Sequence, residues 1–175
     1  SMTMPELPEV ESIVRTIRIP LIGRTVLSAN LLWKRSLVTP SPARFARLIT
    51  GQCITDVSRR AKFIRIQLTD SSCLLIHLRM SGDLLVILGG YTPAKHDRLI
   101  LKLSDDISLV FTDPRKFGRI WFTKDAESVL SGLGPEPLSE DFTSGWLHQA
   151  LHGRHRQIKP LLLDQGFIAG LGNIY

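Results

Sequence analysis

Phe63-Ile64-Arg65-Ile66-Gln67-Leu68 and Cys73-Leu74-Leu75-Ile76-His77-Leu78-Arg79-Met80 flank the breaker Thr69-Asp70-Ser71-Ser72. Apolar side chains recur at every second position, 64, 66 and 68, then 74, 76, 78 and 80. That is the strand period, because successive side chains of a strand point to opposite faces. Downstream the pattern repeats at Leu99, Leu101 and Leu103, then over Ile107–Thr112 and Arg119–Thr123. Ser81-Gly82-Asp83, Gly89-Gly90 and Ser104-Asp105-Asp106 punctuate it. Many short strands at close spacing predict an antiparallel sandwich or barrel.

Upstream of Gly23 the period is helical. Val10, Ile13, Val14, Ile17 and Leu21 form one apolar stripe, predicting a helix over 8–21. Pro5 and Pro8 are tolerated before or in a first turn, and Glu9 and Glu11 suit the positive end of the helix dipole. A short helix near Pro42–Thr50 interrupts the strands. Gly132-Leu133-Gly134-Pro135-Glu136-Pro137 reads as a linker, followed by helices over Asp141–His152 and Gln157–Gln165. The chain then stops at Gly170-Leu171-Gly172-Asn173-Ile174-Tyr175, which reads as an interrupted domain.

The expected fold class is therefore α+β. An antiparallel β-sandwich with flanking helices occupies 5–130, a linker 131–137, and an incomplete helical domain 138–175. Residues 1–4 read as extra residues, with Ser1 a processing scar.

Of the 175 residues, 43% are hydrophobic and 22% charged, which excludes wholesale disorder. The apolar runs Cys73–Leu78 and Leu84–Leu88 are too short for a membrane helix, and no secretory leader is visible. The only cysteines, Cys53 and Cys73, exclude a disulfide scaffold and cannot build a cysteine zinc finger. A reducing, intracellular compartment is expected. The formal charge is +6, and residues 138–175 balance three basic side chains against three acidic, so the whole excess lies in 1–137. Such a bias suits a polyanion, either nucleic acid or an anionic membrane surface, although many soluble proteins are equally basic.

Four stretches invite a chemical reading. Pro5-Glu6-Leu7-Pro8-Glu9-Val10-Glu11 is an ordinary helix start, or else a proline amine beside carboxylates. A secondary amine can attack a sugar C1′, and an adjacent acid can move the protons. Arg59-Arg60-Ala61-Lys62-Phe63-Ile64-Arg65 at a strand entry is a solvated face or a phosphate-binding run. His77-Leu78-Arg79-Met80-Ser81-Gly82 places a methionine beside a turn, where it belongs to the core or to a DNA wedge. Asp113-Pro114-Arg115-Lys116-Phe117-Gly118 puts a phenylalanine on a polar loop, which is harder to explain as core. If Met80 and Phe117 are wedges, both should be more exposed than most large apolar residues.

Met4–Glu11, Arg59–Phe63, His77–Gly82, Lys95-His96-Asp97, Asp113–Gly118, Leu133-Gly134-Pro135-Glu136-Pro137-Leu138 and Gly170–Tyr175 resemble the bacterial formamidopyrimidine-DNA glycosylase family. Seven stretches in the family's order, over essentially the whole chain, make the resemblance specific. Leu7-Pro8 favours this branch over the endonuclease VIII-like one.

The resemblance implies a DNA repair enzyme that excises oxidised purines and nicks the abasic site by lyase chemistry. Pro5, freed at its nitrogen, would be the nucleophile and Glu6 the proton donor at the opening sugar. Glu9 would organise the site, and Lys62 would hold phosphates and assist elimination. Met80, Arg115 and Phe117 would fill the gap left by the flipped nucleotide. His96, Arg115, Arg154 and Asn173 would contact phosphates. Residues 138–175 would begin a helix–two-turn–helix domain, and the family's structural zinc would lie beyond residue 175, with no metal or cofactor in this chain. The implied partner is damaged double-stranded DNA, with no membrane, for a bacterial, cytoplasmic, nucleoid-associated monomer. A non-catalytic DNA-binding module and an endonuclease VIII-like enzyme for oxidised pyrimidines are the alternative readings.

Overall fold

The computed structural model describes residues 5–133. Helix α1 (Leu7–Leu21) is followed by β1 (Val26–Leu31), β2 (Leu37–Thr39), α2 (Pro42–Ile49) and β3 (Ile54–Arg60). Then come β4 (Phe63–Leu68), β5 (Cys73–His77), β6 (Asp83–Leu88), β7 (Asp97–Leu103), β8 (Ile107–Thr112), β9 (Arg119–Thr123) and α3 (Ala126–Leu130).

The strands form a four-stranded sheet, β1-β7-β8-β6, and a five-stranded sheet, β2-β9-β5-β4-β3. Every pairing is antiparallel except β2 with β9, which is parallel. The α+β, antiparallel sandwich expected from the sequence is the fold observed, with one short parallel edge pairing added to it. The chain leaves β1 for the other sheet, where the short edge strand β2 runs in the same direction as β9 before α2 leads on to β3.

A sandwich leaves two open sides, where edge strands would meet water. Here α1 packs against β3 and β6, the edge strands of the two sheets at one side. At the other side α2 packs against β1 and β2. The stripe read from the sequence is the face that α1 buries: Val10, Ile13, Val14, Ile17 and Leu21 are each at most 5% exposed. Polar links fix α1 along β3. Arg59 Nε donates to Glu11 at 2.8 Å, and Arg18 bonds Asp56 at 2.7 Å and the Val57 carbonyl at 2.6 Å.

Strict alternation fails in β5, where Cys73, Leu74, Leu75 and Ile76 are all buried. The face expected to meet water is covered instead. Phe63, Cys73 and Leu75 form a second small core with Ala126 and Leu130 of α3. The β5 strand also ends at His77, so Leu78, Arg79 and Met80 belong to the turn into β6 and not to the strand. The expected helices over 141–152 and 157–165 lie outside the described residues. No helix among the described residues is long and apolar enough to cross a membrane.

Ile17 has no exposed surface, whereas Ile19, two residues on, is 56% exposed. Ile17→Ala should lower the unfolding free energy by about 2–5 kcal/mol, the range for emptying a core site. Ile19→Ala should change it by less than about 0.5 kcal/mol. Urea denaturation of the two variants checks the assignment of the buried face.

Candidate active site

Strand register brings the scattered motifs to one end of the sandwich. Phe63 pairs with His77, and His77 pairs with Arg119. In the other sheet Asp83 and Asp97 both pair with Thr112. The β3–β4 turn, the Leu78–Gly82 turn, the Asp113–Gly118 turn and the approach to β7 at His96 therefore share that end.

Lys62 sits at the entry to β4, in the tip of the β3–β4 hairpin. Arg60 pairs with Phe63, leaving Ala61 and Lys62 as a two-residue turn. Ala61 adopts φ of +54°, the positive value that such a turn demands at its first position. The run around it is not a solvated cationic face. Arg59 is bonded to Glu11 and to the Ala61 carbonyl, both at 2.8 Å. Arg60 makes a forked bond to Glu127, 2.9 Å to each oxygen. Lys62 itself is only 4% exposed.

Burial pulls the Lys62 ammonium down from its ordinary 10.5 to about 8, against the opposing pull of the Glu9 and then the Glu6 carboxylates. The start of α1 thus faces the hairpin tip. Pro5 and Glu6 are buried and Glu9 is half-buried. Glu6 Oε1 accepts no hydrogen bond among the described residues. Three of the four residues assigned to chemistry are therefore joined electrostatically across 53 residues of sequence, and Pro5 adjoins them through Glu6.

His77, which the sequence reading left without a role, stands beside this group. Its Nδ1 accepts the Arg79 backbone N–H at 3.0 Å, and its ring meets Phe63 edge-on at 4.9 Å. Burial, then the charges of Arg79 and Lys62, push its pKa down to about 3. The neutral ring with its proton on Nε2 is the form that fits that bond.

The two turns present their side chains differently. Phe117 is 45% exposed, as expected, and the Arg115 guanidinium lies 4.9 Å from its ring centroid. Met80 is half-buried, and so is more exposed than most of the large apolar residues, as expected. Lys116, at φ of +63°, extends its ammonium to 4.1 Å from the centre of the Trp33 ring. His96 is half-buried, and its carbonyl accepts the Asp113 N–H at 2.8 Å. Arg154 and Asn173, the remaining expected phosphate contacts, lie outside the described residues.

The described residues contain no group of three His, Cys, Asp or Glu side chains placed to hold a metal. With two cysteines in the whole sequence, one of them buried, a four-cysteine zinc site does not fit the residues present.

A buried acid–base cluster lies beside an exposed cation–aromatic turn, both at one end of a helix-closed β-sandwich of the α+β class. The family model for the formamidopyrimidine-DNA glycosylase N-terminal domain matches residues 4–120, and that for the family's H2TH domain matches residues 133–175. The chain belongs to the formamidopyrimidine-DNA glycosylase family.

It is 45% identical over 176 residues to the formamidopyrimidine-DNA glycosylase of Pelotomaculum thermopropionicum, covering 98% of this chain and 64% of that protein. The Chloroflexus aggregans protein of the same name is 47% identical, with 98% and 63% covered. The chain thus spans less than two thirds of these curated relatives. Among solved structures, Lactococcus lactis formamidopyrimidine-DNA glycosylase bound non-covalently to AP-site DNA superimposes with a TM-score of 0.69 at 32% identity, covering 91% of this chain and 62% of that one. Its complex with DNA containing N7-benzyl-Fapy-dG gives 0.70 at 32%, covering 92% and 61%.

Two pH effects follow from the buried groups. Folded Lys62 gives up its proton near pH 8 and the unfolded chain near 10.5, so the unfolded state binds more protons between these values. Stability should rise with pH across that window. Lysine-selective NMR should show one ammonium titrating near pH 8, and Glu9→Gln should move that midpoint lower. For His77 the unfolded ring protonates near 6.5 and the folded one near 3, so stability should fall as pH drops through that interval. His77→Gln should flatten the acid limb of a denaturation series taken from pH 7 to pH 4.

Proposed function

We propose that the whole protein is a DNA glycosylase and abasic-site lyase acting on oxidised purines in double-stranded DNA. The observation that carries the reading is the grouping of Glu6, Glu9 and Lys62 at the end of the sandwich that also bears Met80, Arg115 and Phe117. Membership of the family, and the lesion-bearing DNA held by its Lactococcus lactis relatives, support it.

In the proposed reaction the Pro5 secondary amine attacks the sugar C1′, the C1′–N bond to the damaged base breaks, and the departing base takes up the proton that the Pro5 nitrogen releases. The ring C1′–O4′ bond then opens, with Glu6 supplying the proton to O4′, and the nitrogen lone pair forms the iminium. Loss of a C2′ proton expels the 3′ phosphate by elimination. Lys62, flanked by Glu9 and Glu6, is the cation facing the phosphates on the lesion strand. Arg115 and Phe117 occupy the space of the extruded nucleotide, with Met80 on the neighbouring turn, which offsets part of the few kcal/mol that extrusion costs. His96 adds a phosphate contact at the same end, and Arg154 and Asn173 are proposed to do so from the H2TH segment. The proposed domain organisation keeps the sandwich at 5–130, a linker at 131–137 and the helical domain from 138.

A nucleophilic Pro5 must be a free amine. In the sequence as written Met4 acylates it, and a tertiary amide has no basic lone pair. The chemistry therefore belongs to a chain whose first residue is Pro5.

Borohydride trapping on one lesion-bearing duplex tests the reading. The whole protein beginning at Pro5 should form a covalent adduct mapping to Pro5, and the same protein retaining residues 1–4 should form none there. Glu6→Gln should suppress base excision more than cleavage of a preformed abasic site. Lesion binding without any adduct would indicate a binding module, and an adduct at Lys62 would move the nucleophile to that amine. Preference for oxidised pyrimidines across a panel of duplexes would favour the endonuclease VIII-like alternative.

A further inference from the structure

The two turns carrying Met80 and Arg115–Phe117 are separated by more than 30 residues, yet one buried side chain joins them. The Asp113 carboxylate, with no exposed surface, accepts from the Ser81 hydroxyl through Oδ1 and from the Gly118 N–H at 2.6 Å through Oδ2. The Ser81 oxygen in turn accepts the Arg115 N–H at 3.2 Å. From below, the buried Arg98 guanidinium donates to the Asp113 carbonyl at 2.9 Å.

A second, apolar element repeats the connection. A Cβ at Gly118 would stand 2.5 Å from Phe111 Cζ, and a Cβ at Gly82 would stand 3.0 Å from Phe111 Cε1 and 2.6 Å from the Leu78 carbonyl oxygen. Phe111, 1% exposed, is thus a common floor for both turns, and glycine lets each backbone settle onto it.

We propose that Asp113 and Ser81 are positioning residues that couple the two turns, so that Met80 and the Arg115–Phe117 pair enter a duplex as one rigid wedge. This rests on the proposed DNA-repair reading and deepens it. Neither residue touches the reacting atoms. Their contribution is to hold two insertion elements in one register before DNA arrives, so that ordering them is not charged against base extrusion.

The coupling predicts a selective defect. Extrusion from an intact, paired stack needs both elements at once, whereas a lesion in a single-nucleotide bulge is already unstacked. Ser81→Ala removes the hydroxyl that links the turns and leaves Asp113 with Gly118. In the whole protein beginning at Pro5, it should slow single-turnover excision from a paired duplex by about three- to tenfold, the worth of one or two hydrogen bonds. Excision from the bulged lesion should stay within about twofold. Ser81→Thr, which keeps the hydroxyl, should restore the paired rate.

A readout without catalysis is the fluorescence of 2-aminopurine beside a non-cleavable abasic analogue. Ser81→Ala should slow its rise on binding to the paired duplex by a similar factor. Equal slowing on paired and bulged substrates, or no change on either, would overturn the coupling. Absence of excision by the unsubstituted protein on both substrates would instead overturn the underlying functional reading.

Discussion

The end of the sandwich is organised by a constraint of chain path. Twice the chain passes between sheets there, from β5 to β6 through Leu78–Gly82 and from β8 to β9 through Asp113–Gly118. Each crossing exposes backbone groups that no ladder can satisfy, and buried ones are costly without partners. Asp113 satisfies the Gly118 amide and the Ser81 hydroxyl, while Arg98 holds its carbonyl. A carboxylate so buried is retained only where donors surround it. Those donors belong to the two turns that carry Met80, Arg115 and Phe117.

The adjacent cluster works by a different balance. Lys62 is held buried on a tight hairpin, although the Glu9 and Glu6 carboxylates favour its charge. The amine consequently sits closer to neutrality than a surface lysine, and the carboxylates are kept beside a cation they stabilise. A group poised near operating pH transfers protons efficiently in either direction. Helix α1 supplies the carboxylates because the stripe that seals the open side of the sandwich also fixes where the first turn of the helix emerges. Closure of the sandwich edge and placement of Pro5, Glu6 and Glu9 are therefore one structural event.

The charge excess acquires a more restricted meaning in this frame. Arg59, Arg60 and Arg18 are engaged with Glu11, Glu127 and Asp56, so these three cations hold α1 and α3 onto the five-stranded sheet. The cations on the functional turns are engaged differently. Arg115 lies against Phe117, and Lys116 against Trp33. Cation–aromatic contacts of this kind orient a side chain without neutralising it, so the positive charge remains available to an anion.

Periodicity alone determined the apolar stripe of α1, the strands β4, β7, β8 and β9, and the turns between them, because each is written in side chains two or three to four residues apart. Motif order determined the family. Tertiary structure decided what local spacing cannot encode. The parallel β2–β9 pairing joins strands some eighty residues apart, a partnership that no local pattern specifies. Leu75 is buried because α3, fifty residues later, covers its face. The arginines flanking Lys62 are engaged because carboxylates on α1 and α3 meet them. Asp113, Ser81 and Arg98 carried no signal of their own role, since a buried polar clip is defined by partners distant in sequence. Met80 was legible as a turn residue, but its exposure depended on how the β5–β6 crossing folds against the sandwich.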